Sequence, residues 1–206
     1  MYARSTTFQA KVRMMDAGIE FLRSEVVPAV QAMPGCLGLS MMADPMSGRC
    51  IVTSSWDSMD DMRASDAAVA PMRSRAGKLL GGLPFVEEWE IAAMHRHHHS
   101  HQGACVRAIW MHGAAADLDR GLDVFKMVTM PAMESLDGFC SASLFLDRST
   151  GRAVMSATYD SREMMTATRE QAMDLRMRTA GDARVDILDV AEFDLLVAHL
   201  RVPEMA

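Results

Sequence analysis

The chain has 206 residues, of which half are hydrophobic, and a formal net charge of −6. Phosphate backbones are bound by clustered cations, so this charge disfavours a nucleic-acid partner. No apolar run approaches the roughly 18–20 residues of a membrane-spanning helix, and the N-terminus lacks the apolar core of a signal peptide. We therefore predict a cytoplasmic protein with no membrane partner.

The first predicted elements are a strand and a kinked helix. Residues 2–8 are rich in strand-forming side chains, and residues 13–33 carry apolar side chains at helical spacing. Pro28 falls inside that helix, where a proline costs about 3 kcal/mol or more and kinks the backbone. Gly35 fits the C-terminal stop of the helix.

A β-hairpin follows the helix. Residues 37–43 and 50–56 read as strands that flank a turn running from Asp44 to Gly48. The aspartate supplies a side-chain acceptor for the turn, and the glycine supplies a positive φ.

A second helix and a last strand complete the first half of the chain. Ser58 and Asp61 have the spacing of a capping box, which predicts a helix that begins there and runs to about residue 79. Residues 85–91 read as the last strand. The order strand, helix, strand, strand, helix, strand is that of a ferredoxin-like domain.

The same order recurs about 103 residues further along the chain, with Asp160 in the capping position and a last strand at 187–196. Equivalent pairs include Arg4 and Arg107, Gly18 and Gly121, Pro28 and Pro131, Gly35 and Gly138, Asp44 and Asp147, Trp56 and Tyr159, and Arg73 and Arg176. We interpret the chain as a ferredoxin-like domain at 1–93, a His-rich linker at 94–103 and a second ferredoxin-like domain at 104–206.

Strands that are apolar on both sides predict that something besides the helices covers each sheet, and the other copy is the natural candidate. The expected fold class is therefore α+β, with two tandem βαββαβ domains forming an intrachain pseudo-dimeric α+β barrel.

The motifs resemble those of the antibiotic biosynthesis monooxygenase family. They are the helix end from Pro28 to Gly35, the hairpin Asp-x-x-Ser/Thr-Gly-Arg and Trp56 with the two residues after it. The resemblance spans nearly the whole chain and implies a pocket between sheet and helices. Some members of the family oxygenate phenols and quinols without a cofactor, and others degrade haem. This chain has no asparagine, the amide used by both kinds of member, and its second helices have no histidine for haem iron, so we expect no cofactor.

Arg4 and Arg107 occupy equivalent places on the first strands and are the first candidates for ligand binding. A buried guanidinium needs a partner. Two readings stay open. The arginines anchor a phenolate, carboxylate or enolate ligand, or they pair with an acid such as Glu88 or Glu192.

Four aromatic residues are further candidates. Trp56 and Tyr159 can stack on an aromatic ligand or belong to the core. Trp110 and His112 lie in the second copy only, so the two pockets are expected to differ. His112 is either a general base or a strand-end histidine that faces solvent.

Three further groups of residues are candidates for metal or anion binding, and each group also has a simpler structural interpretation. The linker histidines His95, His97, His98, His99 and His101 are weak metal candidates. We read the tract as a solvated linker and expect no physiological metal. The four cysteines lack metal spacing and read as reduced thiols. Arg73 and Arg176, near helix ends, read as solvated, with an anion site as the alternative.

Together these residues predict a protein that binds a small apolar or aromatic molecule. Three functions stay open: a cofactor-independent monooxygenase of a phenol or quinol, a non-catalytic binding or assembly module, and metal handling by the His-rich linker. The pseudo-dimers are also candidates for further homo-oligomerisation. Whether the protein is an enzyme is not decided by the sequence.

Overall fold

A computed structural model describes residues 1–200 of the chain. The eight strands are β1 (Tyr2–Gln9), β2 (Cys36–Ala43), β3 (Arg49–Trp56), β4 (Pro84–Arg96), β5 (Cys105–Gly113), β6 (Phe139–Asp147), β7 (Arg152–Tyr159) and β8 (Val185–Leu200). They hydrogen-bond in the order β1-β3-β2-β8-β5-β7-β6-β4, which closes into a barrel. The predicted α+β class and the barrel of two fused repeats are confirmed.

The helices repeat in the two copies. They are α1 (Met15–Phe21), α2 (Val27–Gln31), α3 (Met59–Ala64), α4 (Asp66–Leu80), α5 (Leu118–Val124), α6 (Met130–Glu134), α7 (Arg162–Ala167) and α8 (Arg169–Ala183).

The first long helix of each copy is kinked, as predicted. A single π-helical turn, at Leu22–Val26 in the first copy and at Phe125–Thr129 in the second, precedes Pro28 and Pro131. A proline has no N–H to donate and its ring needs room, and a wider turn accommodates both. The proline then stands in the first turn of the following helix, where it is tolerated.

The hairpin turns form as the sequence predicts. The amide of Met46 donates to Asp44 Oδ1 at 2.9 Å, and Asp147 accepts a bond of the same kind in the second copy. Gly48 has φ +77°, and a Cβ added there would lie 2.2 Å from the carbonyl oxygen of Ala10. Glycine is therefore required at this turn for both its conformation and its size.

Serines cap the helices that follow the hairpins. Ser58 Oγ accepts from the amide of Asp61 at 3.0 Å, and Ser161 Oγ accepts from the amide of Met164 at 3.2 Å. The sequence interpretation of Asp160 as the second cap is wrong by one residue. The extended backbone of Ser161 places its hydroxyl over the first turn, which leaves the Asp160 carboxylate available to other partners.

The chain divides into two compact units. Unit 1 comprises Met1–Trp89 and the end of β8 from Asp194, and unit 2 comprises Glu90–Phe193. The predicted domain boundaries follow the sequence repeat, whereas β4 continues through Arg96 into the predicted linker. Residues 201–206 of the predicted second domain lie outside the described residues.

Each unit has its own apolar core. In unit 1 the core includes Phe8, Trp56 and Leu80, and in unit 2 it includes Phe139 and Tyr159. Within residues 1–200, no helix is both long and apolar enough to span a bilayer.

Candidate functional site

Each unit contains a cavity between its strands and its helices. The unit 1 cavity has a volume of about 40 Å³, and Arg4 on β1 and Arg73 on α4 line it. The unit 2 cavity has a volume of about 70 Å³, and the equivalent Arg107 on β5 and Arg176 on α8 line it. In each unit, therefore, two arginines at equivalent positions line an apolar cavity.

The unit 2 cavity is larger partly because a leucine has been replaced by alanine. A Cβ added at Gly18 would lie 2.2 Å from Leu80 Cδ2, whereas a Cβ at Gly121 would find its nearest neighbour, Ala183 Cβ, at 3.9 Å. Leu80 is fully buried in unit 1, while Ala183 and Gly121 line the open cavity of unit 2.

The arginines of unit 1 are neutralised by carboxylates. Arg4 is 3% exposed and donates to Glu88 Oε1 and Ser65 Oγ, each at 3.1 Å. Asp66 Oδ1 lies 3.6 Å from Arg4 Nη1 and 3.1 Å from Arg73 Nη2. The predicted pairing of Arg4 with Glu88 is present, and Asp66 joins the two cavity arginines into one network.

Unit 2 has one carboxylate where unit 1 has two. Arg107 is 4% exposed and donates to Glu192 Oε1 through Nη2 at 2.9 Å and through Nε at 3.1 Å. The position equivalent to Asp66 is Arg169, which binds the other oxygen of Glu192 at 2.8 Å. Arg107 and Arg169 therefore share Glu192, and Arg169 adds a positive charge where unit 1 has the negative charge of Asp66.

Among the described residues, each cavity has two guanidinium nitrogens without a hydrogen-bond partner. They are Arg107 Nη1 and Arg176 Nε in unit 2, and Arg4 Nε and Arg73 Nε in unit 1, and all four atoms are buried. The serine that serves Arg4 in unit 1 is replaced by Thr168, whose hydroxyl donates instead to the carbonyl of Met164 at 3.0 Å. Burial, and after it the charge of Arg107, lower the pKa of Arg176. Among residues 1–200, Arg176 forms no ion pair, so two poorly compensated cations face one apolar space.

Tyr159 lines the unit 2 cavity, and its counterpart Trp56 does not line the unit 1 cavity among the described residues. The Arg107 guanidinium carbon lies 5.6 Å from the Tyr159 ring centroid. Burial raises the pKa of the Tyr159 phenol, and the Arg107 charge opposes that shift. Trp56 is fully buried and donates its indole N–H to Ser54 Oγ at 2.9 Å, a position that favours the core reading.

Trp110 and His112 are not part of the described cavity lining in unit 2. Trp110 packs edge-on against Phe193, with 6.4 Å between ring centroids. His112 is exposed on β5, where it pairs with Arg152 across the ladder. This position favours the reading of His112 as a strand-end histidine over that of a general base in the cavity.

The His-rich tract is not uniformly solvated, contrary to the sequence interpretation. His95 belongs to β4, and its Nε2 lies 2.6 Å from Glu134 Oε1. His98 Nε2 lies 2.9 Å from Asp160 Oδ1. His97, His99 and His101 are exposed, as a solvated linker predicts.

Sequence reasoning missed Arg169 and gave Arg176 only a secondary reading as an anion site. The signal was available in the repeat, because Asp66 and Arg169 occupy equivalent positions with opposite charge. The sequence does not show that the half-buried Arg176 turns its Nε toward the cavity, because helical spacing does not say which side of the helix end a long side chain covers.

This fold, with one cavity in each unit, defines a fused α+β barrel protein. Over the whole chain it is similar to a candidate monooxygenase of Fusobacterium nucleatum (TM-score 0.76, 9% identity, 96% of that chain). It is also similar to an anthrone oxidase-like protein (TM-score 0.69, 14% identity, 95% of that chain). A ferredoxin-fold protein of Listeria monocytogenes, related to antibiotic biosynthesis monooxygenases, aligns over 95% of this chain and 94% of its own (TM-score 0.52, 7% identity).

The chain belongs to the family of the Mycobacterium tuberculosis proteins Rv2557 and Rv2558. It is 50% identical to the uncharacterized protein Rv2557 over 205 residues, which is 100% of this chain and 92% of that protein. It is 48% identical to the uncharacterized protein Rv2558 over 206 residues, 100% of this chain and 87% of that one. No protein-family model matches the sequence.

Proposed function

We propose that the unit 2 cavity binds a small organic anion with an apolar or aromatic body. The observation that carries this proposal is the charge balance at one apolar cavity, where Arg176 has no ion pair among residues 1–200 and Arg107 shares Glu192 with Arg169. Arg107 Nη1 and Arg176 Nε also have no hydrogen-bond partner there, as Arg4 Nε and Arg73 Nε have none in unit 1. A buried donor without a partner costs about 1–3 kcal/mol, more when it is charged. A carboxylate, phenolate or enolate oxygen would satisfy both donors and offset their charge.

The charge balance favours an anion over a neutral ligand. In unit 2, Arg107 and the exposed Arg169 share the carboxylate of Glu192, and Arg176 has no ion pair among residues 1–200. In unit 1, by contrast, Asp66 and Glu88 serve the cavity arginines. In the low dielectric of a buried site, an added negative charge interacts strongly with the excess positive charge of unit 2. Apolar side chains such as Phe125 and Leu144, which also line the cavity, suit an aromatic body.

The catalytic form of the proposal is a monooxygenase that needs no cofactor. Arg107 and Arg176 would hold a phenol or quinol as its anion and lower the ligand's pKa, and the apolar walls would exclude water. The electron-rich anion would itself reduce O₂: the ring C–H para to the phenolate oxygen becomes C=O with one oxygen atom of O₂, and the second oxygen atom leaves as water. The similarity to an anthrone oxidase-like protein makes anthrones the substrates to test first.

A second candidate function is binding without catalysis, with unit 1 as a structural partner. The filled space at Leu80 and the charge of Asp66 favour this division of roles, because they close and neutralise the unit 1 site. A cytoplasmic location and further homo-oligomerisation stay predictions from the sequence.

The binding test uses 2-naphthoate and its neutral amide in calorimetric titrations. We expect 2-naphthoate to bind and the amide to bind at least about tenfold more weakly, because charge-assisted hydrogen bonds contribute roughly 1.5–3 kcal/mol. Arg176→Met should weaken naphthoate binding by about 10–100-fold, and the matched unit 1 variant Arg73→Met should leave it unchanged. Equal effects of the two variants, or equal affinity for the amide, would contradict the proposal.

Two substitutions that introduce unit 1 residues into unit 2 distinguish the effect of charge on ligand binding from the effect of cavity volume. Arg169→Asp supplies the carboxylate that Asp66 supplies in unit 1, and Ala183→Leu fills the space that Leu80 fills. Both should weaken naphthoate binding, and only Ala183→Leu should also weaken binding of the neutral amide. Oxygen uptake with anthrone then decides between the two functions: turnover that Arg176→Met removes supports the oxygenase, and binding without uptake supports the binding module.

A further inference from the structure

Three side chains able to ligate a metal meet in unit 2, and none of them lines the cavity. His98 follows β4, Cys140 lies on β6 and Asp160 follows β7. Asp160 Oδ1 lies 2.9 Å from His98 Nε2 and 3.1 Å from Cys140 Sγ. One nitrogen, one sulfur and one oxygen atom all lie within 4.8 Å of one another.

The backbone holds these three residues in place. The amides of His97 and His98 both donate to the carbonyl of Cys140, at 2.8 and 3.2 Å. The amide of Asp160 donates to the carbonyl of Gly138 at 2.8 Å. The His-rich segment is therefore tied to β6 at the cysteine, and it offers a fixed scaffold where the sequence suggested a solvated linker.

The cluster belongs to unit 2 alone. The position equivalent to Cys140 in the first copy is Leu37, and the His-rich tract has no repeat. The fold thus does not require these residues, because unit 1 forms the same strands with an apolar side chain in place of the thiol. Cys140 is fully buried, whereas the side chains of His98 and Asp160 are 37% and 35% exposed and give a cation access from solvent.

We propose that His98, Cys140 and Asp160 bind one divalent transition-metal ion, of which Zn²⁺ is the best match. Imidazole, thiolate and carboxylate are all zinc ligands, and three protein ligands with a water in the fourth position form a common tetrahedral arrangement. Donor atoms about 3–5 Å apart need only small side-chain shifts to reach metal bonds of roughly 2.0–2.3 Å. On binding, the Cys140 thiol loses its proton to solvent and the cation takes its place beside Asp160.

The test is a titration of untagged, chelator-treated, reduced protein with Co²⁺ alone, read by absorption. We expect one Co²⁺ per chain with a thiolate-to-cobalt charge-transfer band, which Zn²⁺ displaces. Cys140→Ser should remove the band, and the buried unit 1 thiol provides the control Cys50→Ser, which should retain it. Cations held only by exposed imidazoles would give no thiolate band, and that result would overturn the proposal.

Two further variants keep the test decisive if Cys140→Ser fails to fold. His98→Ala should weaken Co²⁺ binding by at least about tenfold, as loss of a ligand does for most metal sites, whereas the exposed neighbour offers the control His99→Ala with unchanged affinity. Asp160→Asn should weaken binding to a similar extent. Equal effects of His98→Ala and His99→Ala would assign the cation to the flexible histidines and refute the site. Naphthoate binding is measured on the same variants and should not change, so this proposal fails independently of the proposed function.

Discussion

The surroundings of the two buried arginines predict that the same kind of substitution, Glu to Gln, lowers the stability of the protein by different amounts in the two units. Among residues 1–200, Glu192 is the only carboxylate that pairs with Arg107. Glu192→Gln removes this charge while keeping the size of the side chain and one acceptor oxygen. Glu88→Gln makes the equivalent change at Arg4, which keeps Asp66 at 3.6 Å and the Ser65 hydroxyl at 3.1 Å. Glu192→Gln should therefore destabilise the protein more than Glu88→Gln.

The expected losses of unfolding free energy depend on how exposed each glutamate is to solvent. Breaking a fully buried ion pair from one side costs about 3–5 kcal/mol, because an uncompensated charge is left behind. Glu192 is 22% exposed, and solvent screening reduces this to about 2–3 kcal/mol. Glu88 is 37% exposed and its arginine keeps a second acid, so we expect about 1 kcal/mol or less.

The assay is urea denaturation at neutral pH, followed by circular dichroism, for the wild type and both variants. The difference between the variants should persist in 0.5 M salt, because salt screens buried pairs much less than exposed ones. Equal losses of free energy, or a larger loss for Glu88→Gln, would refute the conclusion that unit 2 holds the less compensated charge.

Three further predictions concern the backbone, the thiols and acid stability. Arg184 has φ +56° where the equivalent Gly81 has φ +75°, so Arg184→Gly should raise the free energy of unfolding by about 1 kcal/mol in urea denaturation; a loss would show that its ion pair outweighs the strain. Burial raises the pKa of Cys50 to about 12, so iodoacetamide at pH 8, read by mass spectrometry, should label the half-buried Cys36 first; equal labelling would contradict this. Burial raises the pKa of Asp147, but hydrogen bonds from the next residues in the turn lower it overall. Its contribution to stability is therefore present above the unfolded pKa of about 3.9 and lost as the pH falls through the folded pKa, so Asp147→Asn should lose less stability between pH 5 and 3 than the wild type.

Much of the fold follows from local signals in the sequence. Three features each involve residues within a few positions of one another, so their spacing alone identifies them. They are the kink before Pro28, the turn from Asp44 to Gly48 and the cap at Ser58. The second cap was misplaced by one residue because Asp160 and Ser161 are both good caps. Only the backbone conformation of Ser161 decides between them.

For the candidate site, too, the sequence determined some features and the tertiary structure decided the others. By itself, the sequence determined the repeat, the fold class and the equivalence of Arg4 with Arg107, because duplication preserves the order and spacing of residues. Only the tertiary structure decided that the half-buried Arg176 lies near Arg107 with its Nε buried, and that His98 meets Cys140 and Asp160. Those contacts join segments about 40 to 70 residues apart in sequence, and their energies depend on burial and on the sum of nearby charges. No local pattern records these quantities.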